Sequence, residues 1–391
     1  MSAAVPTSVR PGGEVGDGSD DLAWLQGLLG VDGDGPPVRY LARPSAAEPR
    51  LLIPIAPPRA AAAAMTRLHG DRALVDSLTL LAGRALARTG RLARAPGEEV
   101  VLPRFALVDE LGRRLGEPGL TAAITIGPPR RNRKPVLQLV APDGRAVGFA
   151  KVGWSPLTHR LVADEVRALR AVEGALPSAV VAPAVIAELA WGDTTVAVTS
   201  TLRPRGLGRS TPDVGRVAAA VAAVDGGRRP VAELPLVTDG LGGDLARTVD
   251  LGALVDRAAD HELRTGWWHG DCTPWNMVAR GGRTHVWDWE FAAPQRPVGF
   301  DLLHHRFEQR RRRPGVSAAD ALGDLLAEAD DILIGSDAPR GRRPEACRTI
   351  VDLYLCELLA RELSLDGQRW SGGELATLGP ALVDALAPRL A

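Results

Sequence analysis

The stretch at 267–292, WWHGDCTPWNMVARGGRTHVWDWEFA, holds the strongest signal in the chain. Asp271 and Asn276 are separated by four residues, and Asp288 follows twelve positions after Asn276. Carboxylate and amide oxygens are the ligands that a hard divalent cation such as Mg²⁺ prefers in proteins. The spacing therefore predicts a cation site formed by Asn276 and Asp288, with the carboxylate of Asp271 in the loop just before it.

A hairpin is predicted within the same stretch. The Gly-Gly pair at 281–282 favours a two-residue turn, since such turns need positive φ angles that glycine adopts at little cost. Counting outward from the turn pairs Arg280 with Arg283 and places Asn276 opposite Trp287. The two oxygen-bearing side chains of the cation site should then lie together at the open end of one hairpin.

The loop before the hairpin carries a second chemical indication. A carboxylate at Asp271 could orient an incoming hydroxyl group and accept its proton. A histidine, an aspartate, a four-residue gap, an asparagine and then a metal-binding aspartate are the order found in protein kinases. Here the triplet is His269-Gly270-Asp271, with glycine rather than arginine in the middle.

With these residues the segment resembles the aminoglycoside phosphotransferase and choline kinase group of the protein-kinase-like superfamily, in which HGDxxxxN precedes a DWE-type triplet. The resemblance implies that Asp271 is the catalytic base and that Asn276 and Asp288 bind Mg²⁺. It also implies that Asp301, in the later Gly-Phe-Asp stretch, braces the site. The implied substrates are ATP, with GTP left open, and a small molecule whose hydroxyl accepts the γ-phosphate, such as an aminoglycoside, amino sugar, sugar or amino alcohol.

A lysine and a glutamate for the nucleotide phosphates are expected upstream. In the predicted strand AVGFAKV, alternation puts Lys151 on one face with Val147 and Phe149. The following helix, predicted from Leu157 to Val172, has Glu165 at the border of its apolar stripe. We predict that Lys151 pairs with Glu165 and contacts the phosphates, as in kinases. The alternative is that both side chains are solvated.

The phosphate-binding turn departs from the kinase pattern. The segment GPPRRNRKP at 127–135 contains one glycine, so backbone amides cannot be the sole phosphate donors. Side-chain donors from 130–134, Arg130 and Asn132 among them, could take their place. A solvated hairpin tip is the equal alternative.

Other charged, aromatic and histidine residues of the chain are interpreted mainly as structural or solvated. Arg310–Arg313 is interpreted as a solvated face and the tryptophans around the catalytic loop as packing residues. His304 is expected in a core or surface role rather than on substrate. Acidic residues of the last helices, Asp352, Glu357 and Glu362 among them, could meet a cationic acceptor, but most are expected to be solvated. A second His-Gly-Asp at 69–71 lacks the asparagine and the DWE triplet and is interpreted as accidental.

Composition excludes other classes of protein. The 47 basic residues balance 47 acidic ones, which argues against a protein that neutralises nucleic acid. The longest apolar runs are too short to cross a membrane, and the first residues do not resemble a secretory signal, so a cytoplasmic location is expected. The three cysteines are too far apart for a zinc site. The oligomeric state is not predicted.

The predicted fold is α+β and two-lobed, protein-kinase-like, with a β-rich N-lobe, a mainly helical C-lobe and an extra N-terminal region. The predicted segments are a disordered N-terminus at 1–20, an α/β extension without assigned role at 21–100, the N-lobe at 101–202 and the C-lobe at 203–391. A protein kinase is disfavoured because the chain lacks Asp-Phe-Gly and Ala-Pro-Glu. A catalytically silent, nucleotide-binding scaffold remains the alternative to an enzyme.

Overall fold

The computed structural model describes residues 21–32, 36–65, 74–202, 204, 210–258, 261–334, 343–366 and 377–390. The chain divides into two compact units. The first comprises residues 1–166 and 183–203, and the second comprises residues 167–182 and 204–391. The predicted segment boundaries at 20, 100 and 202 stay predictions.

The described elements are numbered in chain order. The helices are α1 (Asp21–Leu29), α2 (Pro58–Ala64), α3 (Leu74–Arg88), α4 (Ala106–Arg114), α5 (Pro156–Val172), α6 (Val214–Ala222), α7 (Pro235–Gly240), α8 (Asp244–Thr248), α9 (Leu251–Arg257), α10 (Phe300–Arg311), α11 (Ala318–Ile334), α12 (Arg343–Asp366) and α13 (Leu378–Leu390). The strands are β1 (Val31–Asp32), β2 (Val38–Pro44), β3 (Pro49–Pro54), β4 (Glu98–Leu102), β5 (Arg104–Phe105), β6 (Thr121–Thr125), β7 (Val136–Val140), β8 (Ala146–Gly153), β9 (Val180–Val181), β10 (Val185–Trp191), β11 (Thr194–Ser200), β12 (Gly227–Pro230), β13 (Glu262–Trp268), β14 (Met277–Arg280), β15 (Arg283–Val286) and β16 (Ala293–Pro297).

The first unit is built on one eight-stranded sheet with the order β10-β11-β8-β7-β6-β3-β2-β4. Every neighbouring pair in it is antiparallel. Strands from before and after residue 100 belong to this same sheet, because β3 pairs directly with β6. The Pro142-Asp143-Gly144 triplet predicts a hairpin turn, and this prediction is confirmed, since the triplet joins β7 to β8.

Period-two alternation gives this sheet two buried faces. Leu52 and Ile124 belong to the core that includes the apolar residues of α1 and α4. Their neighbours Ile53 and Ala123 belong to a second core with α2. Around β3 and β6 the sheet is therefore covered by helices on both sides, and these two strands carry buried apolar residues on both faces.

The second unit is mainly helical. One large core joins residues of α7 to α13 with Trp268, Phe300 and Tyr354. Two small three-stranded sheets accompany the helices, with the orders β12-β13-β16 and β14-β15-β9. A strand-rich unit and a helix-rich unit together confirm the predicted α+β class. The predicted packing role of the tryptophans is confirmed at Trp268 and Trp289, which are buried.

Two predictions from local sequence were wrong. The residues at 251–266 predict a helix from about Leu251 to Arg264 that stops at Gly266, but α9 ends at Arg257 and β13 follows from Glu262. The strand forms because it pairs with both β12 and β16. Thr211, followed by Pro212, is predicted to cap the next helix, but the side chain of Asp213 accepts from the backbone N–H of Arg216 at 3.0 Å and caps α6 instead.

Among the described residues, no helix is long and apolar enough to span a bilayer. The second His-Gly-Asp, at 69–71, lies outside the described part of the chain.

Close packing against α6 explains the glycine in β13, and it generates a stability prediction. A Cβ at Gly266 would lie 1.9 Å from the carbonyl oxygen of Ala222, so Gly266→Ala must displace backbone. We expect a loss of roughly 1–3 kcal/mol in unfolding free energy. Gly227→Ala, in the neighbouring strand, is the control, because nothing lies within 4 Å of its added methyl. Equal urea midpoints for the two variants would contradict the prediction.

Candidate active site

The predicted hairpin is present in the second unit. β14 pairs with β15 so that Arg280 faces Arg283 and Met277 faces Val286. The backbone N–H of Trp287 donates to the carbonyl oxygen of Asn276 at 3.0 Å, one step beyond the last strand pair. The predicted register is therefore confirmed.

Asp271 is held by the asparagine of the motif. The side-chain amide of Asn276 donates to Asp271 Oδ2 at 2.7 Å and to the Asp271 carbonyl oxygen at 3.0 Å. The backbone N–H of Thr273 donates to the same carbonyl at 2.8 Å. These contacts fix both the loop and the carboxylate, which is 23% exposed. The amide oxygen of Asn276 is the atom through which this residue could also bind a cation.

Asp288 lies just beyond the end of β15 and is half-buried. Its φ angle is +70°, a left-handed conformation that is uncommon for a residue with a side chain. Such strain persists only where the surroundings enforce it, and it occurs frequently at functional sites. Three carboxylates lie near the imidazole of His269: those of Asp271, Asp288 and Asp301. The negative charge of each acts to raise the pKa of that imidazole.

Asp301 braces the loop from the first turn of α10. Its carboxylate accepts from the backbone N–H of His269 at 2.9 and 3.2 Å and from that of Gly270 at 3.3 Å. Burial raises the pKa of Asp301, and the imidazoles of His269 and His304 and the two N–H donors oppose the rise. The brace implied by the resemblance is present as a set of hydrogen bonds.

Gly270 occupies a position that excludes other residues. Its φ angle is +78°, and a Cβ there would lie 2.1 Å from the carbonyl oxygen of Phe291. Its own carbonyl accepts a hydrogen bond from Arg361 Nη1 at 2.8 Å. The Arg361 guanidinium also lies 4.4 Å from the ring centre of Phe291 and 5.1 Å from that of Trp268. The loop is therefore tied to α12.

His269 has a structural role in this arrangement. Burial lowers its pKa, and the three nearby carboxylates only partly offset that effect. Its Nδ1 accepts the backbone N–H of Asp271 at 3.2 Å, which requires an unprotonated Nδ1. The neutral ring therefore sets the direction of the backbone at Asp271. The ring also lies 4.5 Å from that of Trp289.

His304 lies on the other side of Asp271. Its Nε2 is 3.5 Å from Asp271 Oδ1, and its Nδ1 is 3.1 Å from the hydroxyl oxygen of Tyr354. Burial raises the pKa of Tyr354, so the phenol stays protonated and can donate to Nδ1. That assignment leaves a proton on Nε2, directed at Asp271. His304 is buried, as expected for a core residue, but it also faces the candidate catalytic carboxylate.

Sequence reasoning missed Arg361 and the contact of His304 with Asp271. Arg361 lies 91 residues from the carbonyl that it contacts, and nothing in its neighbourhood in the sequence marks it. The contact of His304 was missed because a histidine three residues after Asp301 has no motif of its own.

The predicted lysine–glutamate contact is present in the first unit. Lys151 Nζ lies 2.7 Å from Glu165 Oε2, and Glu165 is buried. Apolar neighbours predict a buried face for Lys151, and that detail was wrong. Lys151 and Phe149 share a half-buried face, whereas the fully buried face of β8 carries Ala150 and Val152. The contact of Lys151 with phosphate stays a prediction.

The turn at 127–135 is also in the first unit. Arg130 is exposed and Asn132 is half-buried, so both side chains can reach solvent. Arg133 is not available as a phosphate donor, because it is buried and lies 2.7 Å from Asp21.

Several charged residues of the second unit that were expected to be solvated form ion pairs. Asp352 is fully buried and lies 2.6 Å from Arg257, and Glu357 lies 2.7 Å from Arg296. Arg310 likewise contacts Asp324. Asp352 and Glu357 are therefore neutralised within the fold rather than solvated, and they offer little to a cationic acceptor.

Three histidines predict how stability depends on pH. Burial lowers the pKa values of His269, His285 and His305, so below about pH 6.5 these three side chains bind fewer protons in the folded protein than in the unfolded chain. Stability is therefore fully present above that pH and is lost as pH falls. We expect the urea midpoint to decrease when the pH is lowered from 7.5 to 5.5. The decrease should be smaller in His285→Gln, a substitution outside the loop at 269–271. The same pH dependence in both proteins would contradict this.

Comparison with known proteins gives distant structural matches. No family model and no curated protein sequence matches the chain. A thermostable mutant of aminoglycoside phosphotransferase APH(4)-Ia, solved with ADP and hygromycin B, is 16% identical with a TM-score of 0.47, over 73% of this chain and 98% of that one. Macrolide 2'-phosphotransferase MphH from Brachybacterium faecium is 18% identical with a TM-score of 0.40, over 71% and 97%.

A choline/ethanolamine kinase family protein from Mesorhizobium loti is 18% identical with a TM-score of 0.38, over 71% of this chain and 94% of that one. The matched structures are of the kinds that the motif at 267–292 resembles. At these identities and TM-scores the likeness does not indicate the chemistry of this protein. The chemistry is inferred from the residues of the site.

Proposed function

We propose that this protein transfers the γ-phosphate of ATP to a hydroxyl group of a small molecule. The observation that carries the proposal is the fixed carboxylate of Asp271. Asn276 donates to one of its oxygens at 2.7 Å, and the imidazole of His304 lies 3.5 Å from the other. A carboxylate oriented in this way can accept a hydrogen bond from an acceptor hydroxyl, aim it and take its proton.

The backbone contacts support this role. Phosphoryl transfer needs positioning more than covalent chemistry from the protein, so small displacements of the base are costly. The loop before Asp271 is held by Asp301 through two N–H groups and by Arg361 through one carbonyl. The neutral ring of His269 accepts the N–H of Asp271 itself. The backbone on the N-terminal side of the base is therefore restrained at each peptide unit.

The residues present fit a magnesium ion. Asn276 contributes an amide oxygen and Asp288 a carboxylate, which are hard donors, and the strained backbone of Asp288 is consistent with an enforced position. Few protein ligands are needed, because Mg²⁺ is commonly held by one or two side chains together with substrate phosphates. When bound, the ion would neutralise charge on those phosphates.

On the nucleotide side, we assign Lys151 to the phosphates of ATP. Its 2.8 Å contact with the buried carboxylate of Glu165 limits the rotation of the ammonium group. Arg130 and Asn132 are assigned to the same phosphates as side-chain donors, in place of a glycine-rich backbone. GTP remains an alternative nucleotide.

The acceptor is proposed from the resemblance of the catalytic motif: an aminoglycoside, an amino sugar, a sugar or an amino alcohol. The second candidate is a nucleotide-binding scaffold without turnover. The complete set of Asp271, Asn276 and Asp288 argues against it, whereas the turn at 127–135 with its one glycine is the observation in its favour.

The first test is turnover. Wild-type protein with Mg²⁺, ATP and a panel of hydroxylated small molecules should convert ATP to ADP in step with a phosphorylated product. Asp271→Asn, which keeps the shape but removes the base, should lower kcat by about 10²- to 10⁴-fold. Asp244→Asn is the matched control, because Asp244 is exposed and its side chain contacts only its helix neighbour Arg247 among the contacts described. Nucleotide binding without turnover across the panel would support the scaffold instead.

The second test concerns the cation ligands. Asp288→Asn should raise the Mg²⁺ concentration needed for half-maximal turnover, since a carboxylate is exchanged for a weaker neutral ligand. The concentration dependence is measured at saturating ATP in wild type and variant. An unchanged Mg²⁺ requirement would remove Asp288 from the proposed metal site while leaving Asp271 untouched.

A further inference from the structure

The turn at 127–135, here called the phosphate loop, contains no helix or strand that would hold its shape. It joins β6 to β7 and contains one glycine, Gly127, with a φ angle of +76°. Its tip, residues 128–131, is exposed. A loop of exposed arginines would be mobile unless its ends were fixed, so the contacts at both ends decide how it is presented.

One end is fixed by a buried ion pair with α1. Arg133 Nη2 lies 2.7 Å from Asp21 Oδ1, and the two side chains are 5% and 6% exposed. The contact is ionic rather than a directed hydrogen bond, since Arg133 Nη2 makes no hydrogen bond within the described residues. The Arg133 guanidinium also lies 4.7 Å from the ring centre of Trp24, one turn along α1.

The backbone of the same residue is held as well. Trp154 Nε1 donates to the carbonyl oxygen of Arg133 at 2.7 Å, and the N–H of Arg133 donates to the carbonyl of Arg130 at 2.9 Å. The rings of Trp24 and Trp154 meet edge to face, with their centres 5.6 Å apart. Side chain and main chain of Arg133 are thus bound to one aromatic pair.

The other end of the loop is tied to the same carboxylate. Arg50 Nη1 donates to the carbonyl oxygen of Gly127 at 3.1 Å and lies 3.6 Å from Asp21 Oδ2. Asp21 therefore faces two arginines. Arg133 belongs to the end of the loop, and Arg50 contacts its first residue, Gly127. Removing one member of a buried charge pair leaves the other uncompensated, so the position of the loop is coupled to Asp21.

We propose that α1 positions the phosphate loop: Asp21 and Trp24 hold Arg133 and Arg50 so that Arg130 and Asn132 are presented to the nucleotide phosphates. This gives a role to the beginning of the predicted N-terminal extension. The inference rests on the proposed nucleotide-dependent function for its consequence, but the restraint on the loop can be measured without it.

The first experiment is limited trypsin digestion of the full chain without nucleotide. Cleavage after Arg130 and Arg131 reports opening of the loop, because a protease needs a flexible segment. Asp21→Asn should accelerate cleavage there by about tenfold or more relative to cleavage elsewhere in the chain. Asp109→Asn is the matched control: it breaks another aspartate–arginine pair of the same unit, with Arg104, that has no described contact with the loop.

Trp24→Phe is the second variant, for the case in which Asp21→Asn does not fold. It keeps an aromatic ring but removes part of the surface over which Arg133 lies, so a smaller acceleration is expected. Thermal unfolding of each variant identifies a misfolded protein. Unchanged cleavage in folded variants, or equal acceleration in Asp109→Asn, would overturn the inference.

The second experiment separates positioning from general stability. With an active wild type, Asp21→Asn should raise KM for ATP while kcat and KM for the acceptor stay close to wild type, because the loop is proposed to contact the nucleotide and not the acceptor. Equal losses in kcat would contradict a positioning role. If wild type shows no turnover, the proposed function fails, and the proteolysis result still decides whether α1 restrains the loop.

Discussion

A buried carboxylate on α10 sets the geometry of the candidate site. Asp301 accepts backbone N–H groups from His269 and Gly270, and burial raises its pKa despite these donors. A carboxylate in such a place is tolerated only where donors surround it. The loop at 269–271 supplies those donors, so the loop and α10 hold each other in position. The position of Asp271, one residue further on, follows from that mutual requirement.

The same physical requirement recurs through the chain with different partners. Glu165 is matched by the ammonium of Lys151, Asp21 by two guanidinium groups, and Asp352 by the guanidinium groups of Arg257 and Arg389. Asp21 and Asp352 connect elements that are far apart in sequence, whereas Glu165 and Lys151 lie 14 residues apart on consecutive elements. Such pairs add little stability over apolar packing, but breaking one side is costly, and they therefore specify a particular arrangement.

The sequence predicted the elements whose signals are local. The turn at 281–282 and the strand period gave the hairpin register because each depends on neighbouring residues only. The contact between Lys151 and Glu165 was predicted from strand and helix periodicity together with the kinase pattern. The helix expected beyond Arg257 was wrong because pairing with two other strands overrode local preference, and the cap at Asp213 was missed because several adjacent polar residues could have served.

The amino-acid sequence by itself determined the chemistry available: a carboxylate at 271, hard oxygen donors at 276 and 288, and the spacing that makes one hairpin of them. Only the tertiary structure decided which distant residues restrain these groups. Arg361 lies 91 residues from Gly270, and Asp21 is joined to Arg133 across several intervening strands. The reason is physical: a motif records residues that are adjacent along the chain, whereas a buried charge selects partners by proximity after folding, and that proximity leaves no periodic trace in the sequence.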